Sequence, residues 1–163
     1  MKKIFFLFLS LIICSTIFAQ SNKWSSLSYS YSKGPVSPEY QYNYTININD
    51  NGTGTLIYTK MSASDEYEFK LGKKGMKRLN NALKKSGIFT VSPEEMKSDQ
   101  NLIGGPSKGL SVTMWQEPNL DQRPTVIEAP ANINDTYIEN MNALYETIER
   151  LVPSSVWTKA KGE

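Results

Sequence analysis

From Tyr40 to Asn49 the chain alternates without a break. Tyr40, Tyr42, Tyr44, Ile46 and Ile48 share one parity; Gln41, Asn43, Thr45, Asn47 and Asn49 share the other. Successive side chains of a strand point to opposite faces, so a strand over 40–49 buries one face and wets the other. That is the pattern of an antiparallel sheet with a single covered face. Asp50-Asn51-Gly52 follows, and these residue types tolerate positive φ, so a tight hairpin returns the chain into a strand over 53–61.

The same reading extends in both directions. Gln20 to Ser26 is polar and reads as a loose lead-in; Leu27, Tyr29 and Tyr31 then alternate with Ser28, Ser30 and Ser32 as a strand. Gly34-Pro35-Val36-Ser37-Pro38 breaks it. Ser62 to Asp65 turns the chain into Tyr67, Phe69 and Leu71, alternating with Glu66, Glu68 and Lys70. The period then changes: Met76, Leu79, Ala82 and Leu83 fall at helical spacing and predict a helix ending at Ser86-Gly87. Gly87 takes the left-handed position, Ile88 packs back on Leu83, and Lys84 and Lys85 meet the negative end of the helix dipole. Residues 92–108 carry no periodicity and read as a long loop. Strands follow at 110–115 and 124–129, and Thr136-Tyr137-Ile138-Glu139 reads as a capping box. It opens a helix with Ile138, Met141, Leu144, Tyr145, Ile148 and Leu151 on one stripe, stopped by Pro153. The fold class expected is α+β: a single antiparallel sheet of about five or six strands with two helices packed on one face.

At the N-terminus, Lys2 and Lys3 precede an apolar run from Ile4 to Ile13, then Cys14 to Ala19, after which polarity rises. This is the pattern of a secretory signal peptide over 1–19, with cleavage after Ala19; the run is too short and too polar at its end for a membrane span. The alternative is a lipoprotein anchored through Cys14, but Ile13 stands where lipoprotein signals place a small residue. The expected product is a single domain over 20–163, periplasmic or extracellular. That domain has no cysteine and the chain has no histidine, which excludes a disulfide framework, a thiolate nucleophile, a histidine base and most zinc or copper sites. Losing Lys2 and Lys3 from 18 basic residues leaves 16 against 16 acidic ones, a neutral domain with no electrostatic reason to bind nucleic acid.

Gly34-Pro35, the Tyr-rich strand, Asp50-Asn51-Gly52, a return strand and a helix ending Ser86-Gly87-Ile88-Phe89 resemble a bacterial secreted domain family of unknown function. In that family a Gly-Pro-Cys segment precedes the same hairpin-then-helix order. Val36 stands where the cysteine would be, so the resemblance implies a fold and no activity.

Candidate motifs resolve mostly to turns and solvated faces. Asn47-x-Asn49-x-Asn51-Gly52 has Tyr58 where a calcium loop needs a bidentate Glu. Ser30 and Lys33 match an acylating Ser-x-x-Lys pair in spelling, yet on a strand they point to opposite faces. Gly104 to Gly109 lacks the residue order of a phosphate loop. Glu66 and Glu68, about 7 Å apart on one strand face, are a candidate acid pair at the separation inverting glycosidases use, and the alternative reading is a small carboxylate hydrolase. Lys70, Lys73, Lys74, Lys77, Arg78, Lys84 and Lys85 form one acid-free run, either a solvated face or a site for an anionic lipid head group, acidic glycan or acidic protein surface. Seven of nine tyrosines precede residue 70; they pack across strands or line a groove where helix cover runs out. Trp115, on the Ser111/Thr113 parity, is expected to be exposed. The expectation is a non-catalytic binding domain without cofactor or metal, using Trp115, Tyr40 and Tyr42 to hold a protein, a peptide or a cell-wall glycan. A structural envelope protein is a further alternative.

Overall fold

The computed structural model describes residues 23–61, 63–100, 104–116 and 123–162; the expected signal peptide lies outside them. Six strands form one open antiparallel sheet: β1 (Trp24–Ser32), β2 (Tyr42–Asn49), β3 (Thr53–Lys60), β4 (Ala63–Lys70), β5 (Ser107–Met114) and β6 (Val126–Glu128). Their order is β4-β3-β2-β1-β5-β6, a four-strand meander to which β5 returns on the far side of β1. The helices are α1 (Lys73–Ser86), α2 (Pro93–Met96), α3 (Ile138–Leu151) and α4 (Ser154–Lys161).

Period-2 patterning decides which face is covered. Leu27, Tyr29, Tyr44, Ile46, Ile48, Leu56, Tyr58, Phe69, Leu110 and Val112 are buried on one side of the sheet, against Leu79 and Leu83 of α1 and Met141, Leu144, Tyr145 and Ile148 of α3. The other side carries Ser28, Ser30, Thr45, Asn47, Thr55, Glu66, Glu68 and Ser111, and none of the helices among the described residues packs over it. The fold is therefore α+β with both long helices on one face. Gly54 pairs with Phe69 on the covered side, and a Cβ at Gly54 would meet the Phe69 ring at 2.5 Å; the missing side chain makes room for that ring.

Several turns form as their residues dictate. Gly52 sits at φ +84 and its N–H donates to Asn49 O, while Asn51 Oδ1 accepts from Thr53 N. This makes the 47–52 segment a hairpin turn and not a cation loop. Gly87 ends α1 at φ +80. The Ser86 hydroxyl accepts from Ile88 N and donates to Leu83 O, and Ile88 is buried. Gly34 lies at φ +89 so close to Gly105 that a Cβ would collide with the Gly105 carbonyl, which puts the Gly-Pro loop backbone against the Gly104-Gly105 loop.

Other expectations need correction. β1 begins at Trp24, inside what reads as a polar lead-in. A register shift between Trp24 and Ser26 turns both Trp24 and Leu27 inward, and the Trp24 indole donates to Asn80 Oδ1 at 2.8 Å. Tyr40 is not in β2: Pro38–Tyr40 is a 3-10 turn in which Tyr40 N donates to Ser37 O, because Pro38 presets the turn's first residue. Residues 92–108 are not all loop; Ser92 caps α2 by accepting from Glu95 N, and β5 already starts at Ser107. The Thr136–Glu139 capping box does not form. Asn134 takes its place, its carbonyl accepting from Tyr137 N and Ile138 N and its Oδ1 from Thr136 N. Pro153 does end the run of α3, but it also stands at the N-cap of α4, a fourth helix that packs on the same face near β3 and β4 through Val156, Trp157 and Ala160.

Candidate functional site

Antiparallel register builds the site. Tyr31 of β1 lies opposite Tyr44 of β2, and Tyr44 lies opposite Tyr58 of β3. Cross-strand pairs on one face stand within ring contact, and these rings stack. Tyr31 and Tyr44 are 5.0 Å apart at 13°, Tyr42 and Tyr58 5.8 Å at 18°, and Tyr31 and Tyr42 5.9 Å at 24°. The result is a row of near-parallel rings across three strands at the end of the sheet that α1 does not reach. Trp157 of α4 meets Tyr44 edge-on at 4.9 Å and donates its indole N–H to the Glu149 carbonyl.

One carboxylate fixes the inner end of the row. Glu149, near the C-terminal end of α3, accepts from Tyr29 Oη at 2.7 Å and from Tyr44 Oη at 2.8 Å through the same oxygen, Oε1. Tyr29 is fully buried and stacks on Tyr145 at 5.2 Å. Burial first, and then the hydrogen bond to Glu149, push the Tyr29 and Tyr44 hydroxyls well above the ordinary tyrosine value. Burial alone raises Tyr145 to about 12. A tyrosine that serves as base or nucleophile needs the opposite shift, so these hydroxyls are held neutral, those of Tyr29 and Tyr44 as donors to Glu149. Every buried side-chain nitrogen or oxygen among the described residues has a partner.

The outer end of the row is open. Tyr42, Tyr44, Tyr58, Glu149, Trp157 and Lys161 are among the residues lining a groove of about 740 Å³. Lys33 lies over the Tyr42 ring at 5.3 Å and Lys161 over Trp157 at 5.8 Å; Arg150, also on the rim, pairs with Glu146 at 3.2 Å. Because the rings stand face to face, they offer edges, hydroxyls and the gaps between them, not broad open faces. Among the described residues Glu149 is the one acid on the lining. Among the described residues no cluster of three His, Cys, Asp or Glu side chains is placed to hold a metal ion.

The expected site residues are not brought together. Tyr42 lines the groove. Tyr40 is 61% exposed in its 3-10 turn and is not part of the lining. Trp115 is 46% exposed, with Lys23 over its ring at 5.8 Å, but its backbone N–H donates to Lys23 O at the opposite end of β1. The ten-residue rise from Lys23 to Lys33 separates the two places by about 33 Å. Glu66 and Glu68 are exposed on the open face of the edge strand β4, opposite Ile57 and Thr55, outside the tyrosine groove. Ser30 is on the open face, while Lys33 reaches the Tyr42 ring on the covered side. Glu149 and Trp157 are the contributions that strand-parity reasoning missed; the sequence signal for Glu149 is a carboxylate one turn after Tyr145, beside Ile148 of the α3 stripe. No protein-family model matches the chain, and no curated protein matches its sequence.

Proposed function

We propose that this is a non-catalytic binding domain, exported by the 1–19 segment, that holds an extended peptide segment of a partner protein in the tyrosine groove. The observation that carries this reading is the stacked row Tyr31–Tyr44 and Tyr42–Tyr58 opening into a groove of about 740 Å³. Ring edges and hydroxyls at regular intervals suit alternate side chains and backbone carbonyls of an extended chain, as aromatic-lined peptide grooves do. Sugar recognition, by contrast, wants an open ring face, and here the tyrosine rings stack on one another while Lys33 and Lys161 lie over Tyr42 and Trp157. The rim cations Lys33 and Lys161 favour acidic residues beside the apolar anchor. The hydrolase reading has less support: a carboxylate mechanism needs two acids converging on one reacting atom, and Glu149 holds two tyrosines instead.

The test is selection of displayed linear peptides on the purified protein, followed by affinity measurement with Tyr42→Ser. The reading predicts that selected peptides are extended and aromatic- or proline-containing, and that Tyr42→Ser weakens them at least tenfold. Undiminished binding by Tyr42→Ser would overturn it.

A further inference from the structure

A second groove, of about 480 Å³, runs between α1 and α3 on the solvent side of the helix layer. One wall is the α1 stripe Lys74, Lys77, Arg78 and Lys85; the α3 wall includes Ala143 and Leu144 and no carboxylate. We propose that this groove binds a linear polyanion, an acidic polysaccharide chain laid along α1.

Three features support this occupant. First, the cations in the opening turns of α1 are arranged against the interest of the helix itself. Acids stabilise the first turn of a helix and cations destabilise it, yet α1 begins Lys73-Lys74, has no acid in its first turn and no side-chain cap on Gly72. Lys74 also stands three and four positions from Lys77 and Arg78, where like charges repel. An anion along this stripe relieves both penalties at once. Second, the charges are uncompensated. No ion pair or hydrogen bond from these four side chains is formed among the described residues; of the three acids of α3, Glu146 is engaged by Arg150 and Glu149 by two tyrosines, and Glu139 is not among the residues lining the groove. Third, from Lys74 to Lys85 the stripe spans about 16 Å of helix axis, suited to several units of a chain and longer than one small anion needs.

The surroundings select among polyanions. Among the described residues no aromatic ring lines the groove, so a nucleic acid would find charge there but no ring on which to stack its bases. The groove is recessed, and the large exposed apolar residues, Tyr40, Met61, Trp115 and Val126, are on neither α1 nor α3, which disfavours insertion into a membrane surface. The floor of Ala143 and Leu144 suits the C–H faces of sugar rings and has no deep pocket for a peptide anchor.

The probe is a fluorescently labelled oligogalacturonate, read by anisotropy at low and moderate salt. Arg78→Glu/Lys85→Glu is compared with Lys60→Glu/Lys97→Glu, which changes net charge equally at exposed positions outside the groove. The proposal predicts binding that falls with salt, a loss of at least tenfold in the groove variant and less than threefold in the control. Lys74→Glu should weaken binding while raising the melting temperature, opposite signs that mere misfolding cannot produce. Equal losses in both double variants, no binding by the unmodified protein, or equal binding of single-stranded DNA or of phosphatidylglycerol vesicles would each overturn the proposal. None of these results bears on the tyrosine groove.

Discussion

Replacing Glu149 by Leu tests whether the tyrosine row is held by one carboxylate. Tyr29 Oη has no exposure and its hydrogen bond to Glu149 is 2.7 Å; Tyr44 Oη, 8% exposed as a residue, lies 2.8 Å from the same oxygen. A hydrogen bond to a charged acceptor contributes about 1.5–3 kcal/mol, and a buried donor left without a partner costs about 1–3 kcal/mol. Tyr29 cannot reach water and bears that full penalty. Tyr44, at the groove wall, can recruit water and bears part of it, so Glu149→Leu should destabilise the fold by about 3–5 kcal/mol. Glu149→Gln keeps an acceptor oxygen and loses only the charge assistance, so about 1–2 kcal/mol is expected. In a Tyr29→Phe/Tyr44→Phe background there is no hydroxyl to orphan, and Glu149→Leu should then cost less than about 1 kcal/mol, a coupling well above the additivity error of about 0.5 kcal/mol. Urea denaturation of the four proteins closes the cycle. A Glu149→Leu penalty equal in both backgrounds would refute the reasoning.

The tyrosine shifts give a pH dependence with a definite sign. Tyr29, Tyr44 and Tyr145 ionise higher in the fold than in the unfolded chain. Their contribution is therefore complete below the unfolded value near 10 and is lost as pH rises beyond it, by up to about 1.4 kcal/mol per pH unit for each. Denaturation midpoints should fall steeply above about pH 10, and tyrosinate absorbance of the folded protein should show fewer than nine titrating rings; nine ordinary titrations before unfolding would contradict this. Trp115→Ala removes an exposed ring and should change stability by no more than about 0.5 kcal/mol in chemical denaturation; a loss of about 3 kcal/mol would place the ring in the core. N-terminal sequencing of the exported protein should begin at Gln20, and palmitate labelling that depends on Cys14 would replace this processing with lipidation.

The fold was largely readable wherever one residue's chemistry decides a local conformation. Strict alternation over 42–48 fixed the covered face of β2, Asn51-Gly52 the hairpin and Ser86-Gly87 the end of α1. The failures share a cause, in that a local pattern was re-phased or reused by packing. The register shift beside Ser25 brings Trp24 and Leu27, three apart, to the same side, which no period-2 reading can find. Pro38 converts the first residues of an alternating run into a 3-10 turn, so Tyr40 leaves the face that its parity assigns to it. Pro153 stops one helix and starts the next. Ser92-Pro93-Glu94-Glu95 carried a readable start signal, a capping serine before proline, that its short length concealed. At the site, the concentration of tyrosines was visible. Their partner Glu149, 120 and 105 positions from Tyr29 and Tyr44, was not, because only the packing of α3 across β1 and β2 brings it there.

The chain's three tryptophans provide the most direct test of the binding groove. Trp24 is buried in the core with its indole N–H on Asn80, Trp115 is exposed at the far end of β1, and Trp157 lines the groove with its N–H on the Glu149 carbonyl. Each indole N–H gives a separate nuclear magnetic resonance signal, so titration with a selected peptide reports on core, far end and groove in one spectrum. The account predicts that the Trp157 signal moves in proportion to occupancy while those of Trp24 and Trp115 stay in place. Movement of the Trp115 signal with Trp157 unchanged would contradict it and put the binding surface at the other end of the sheet.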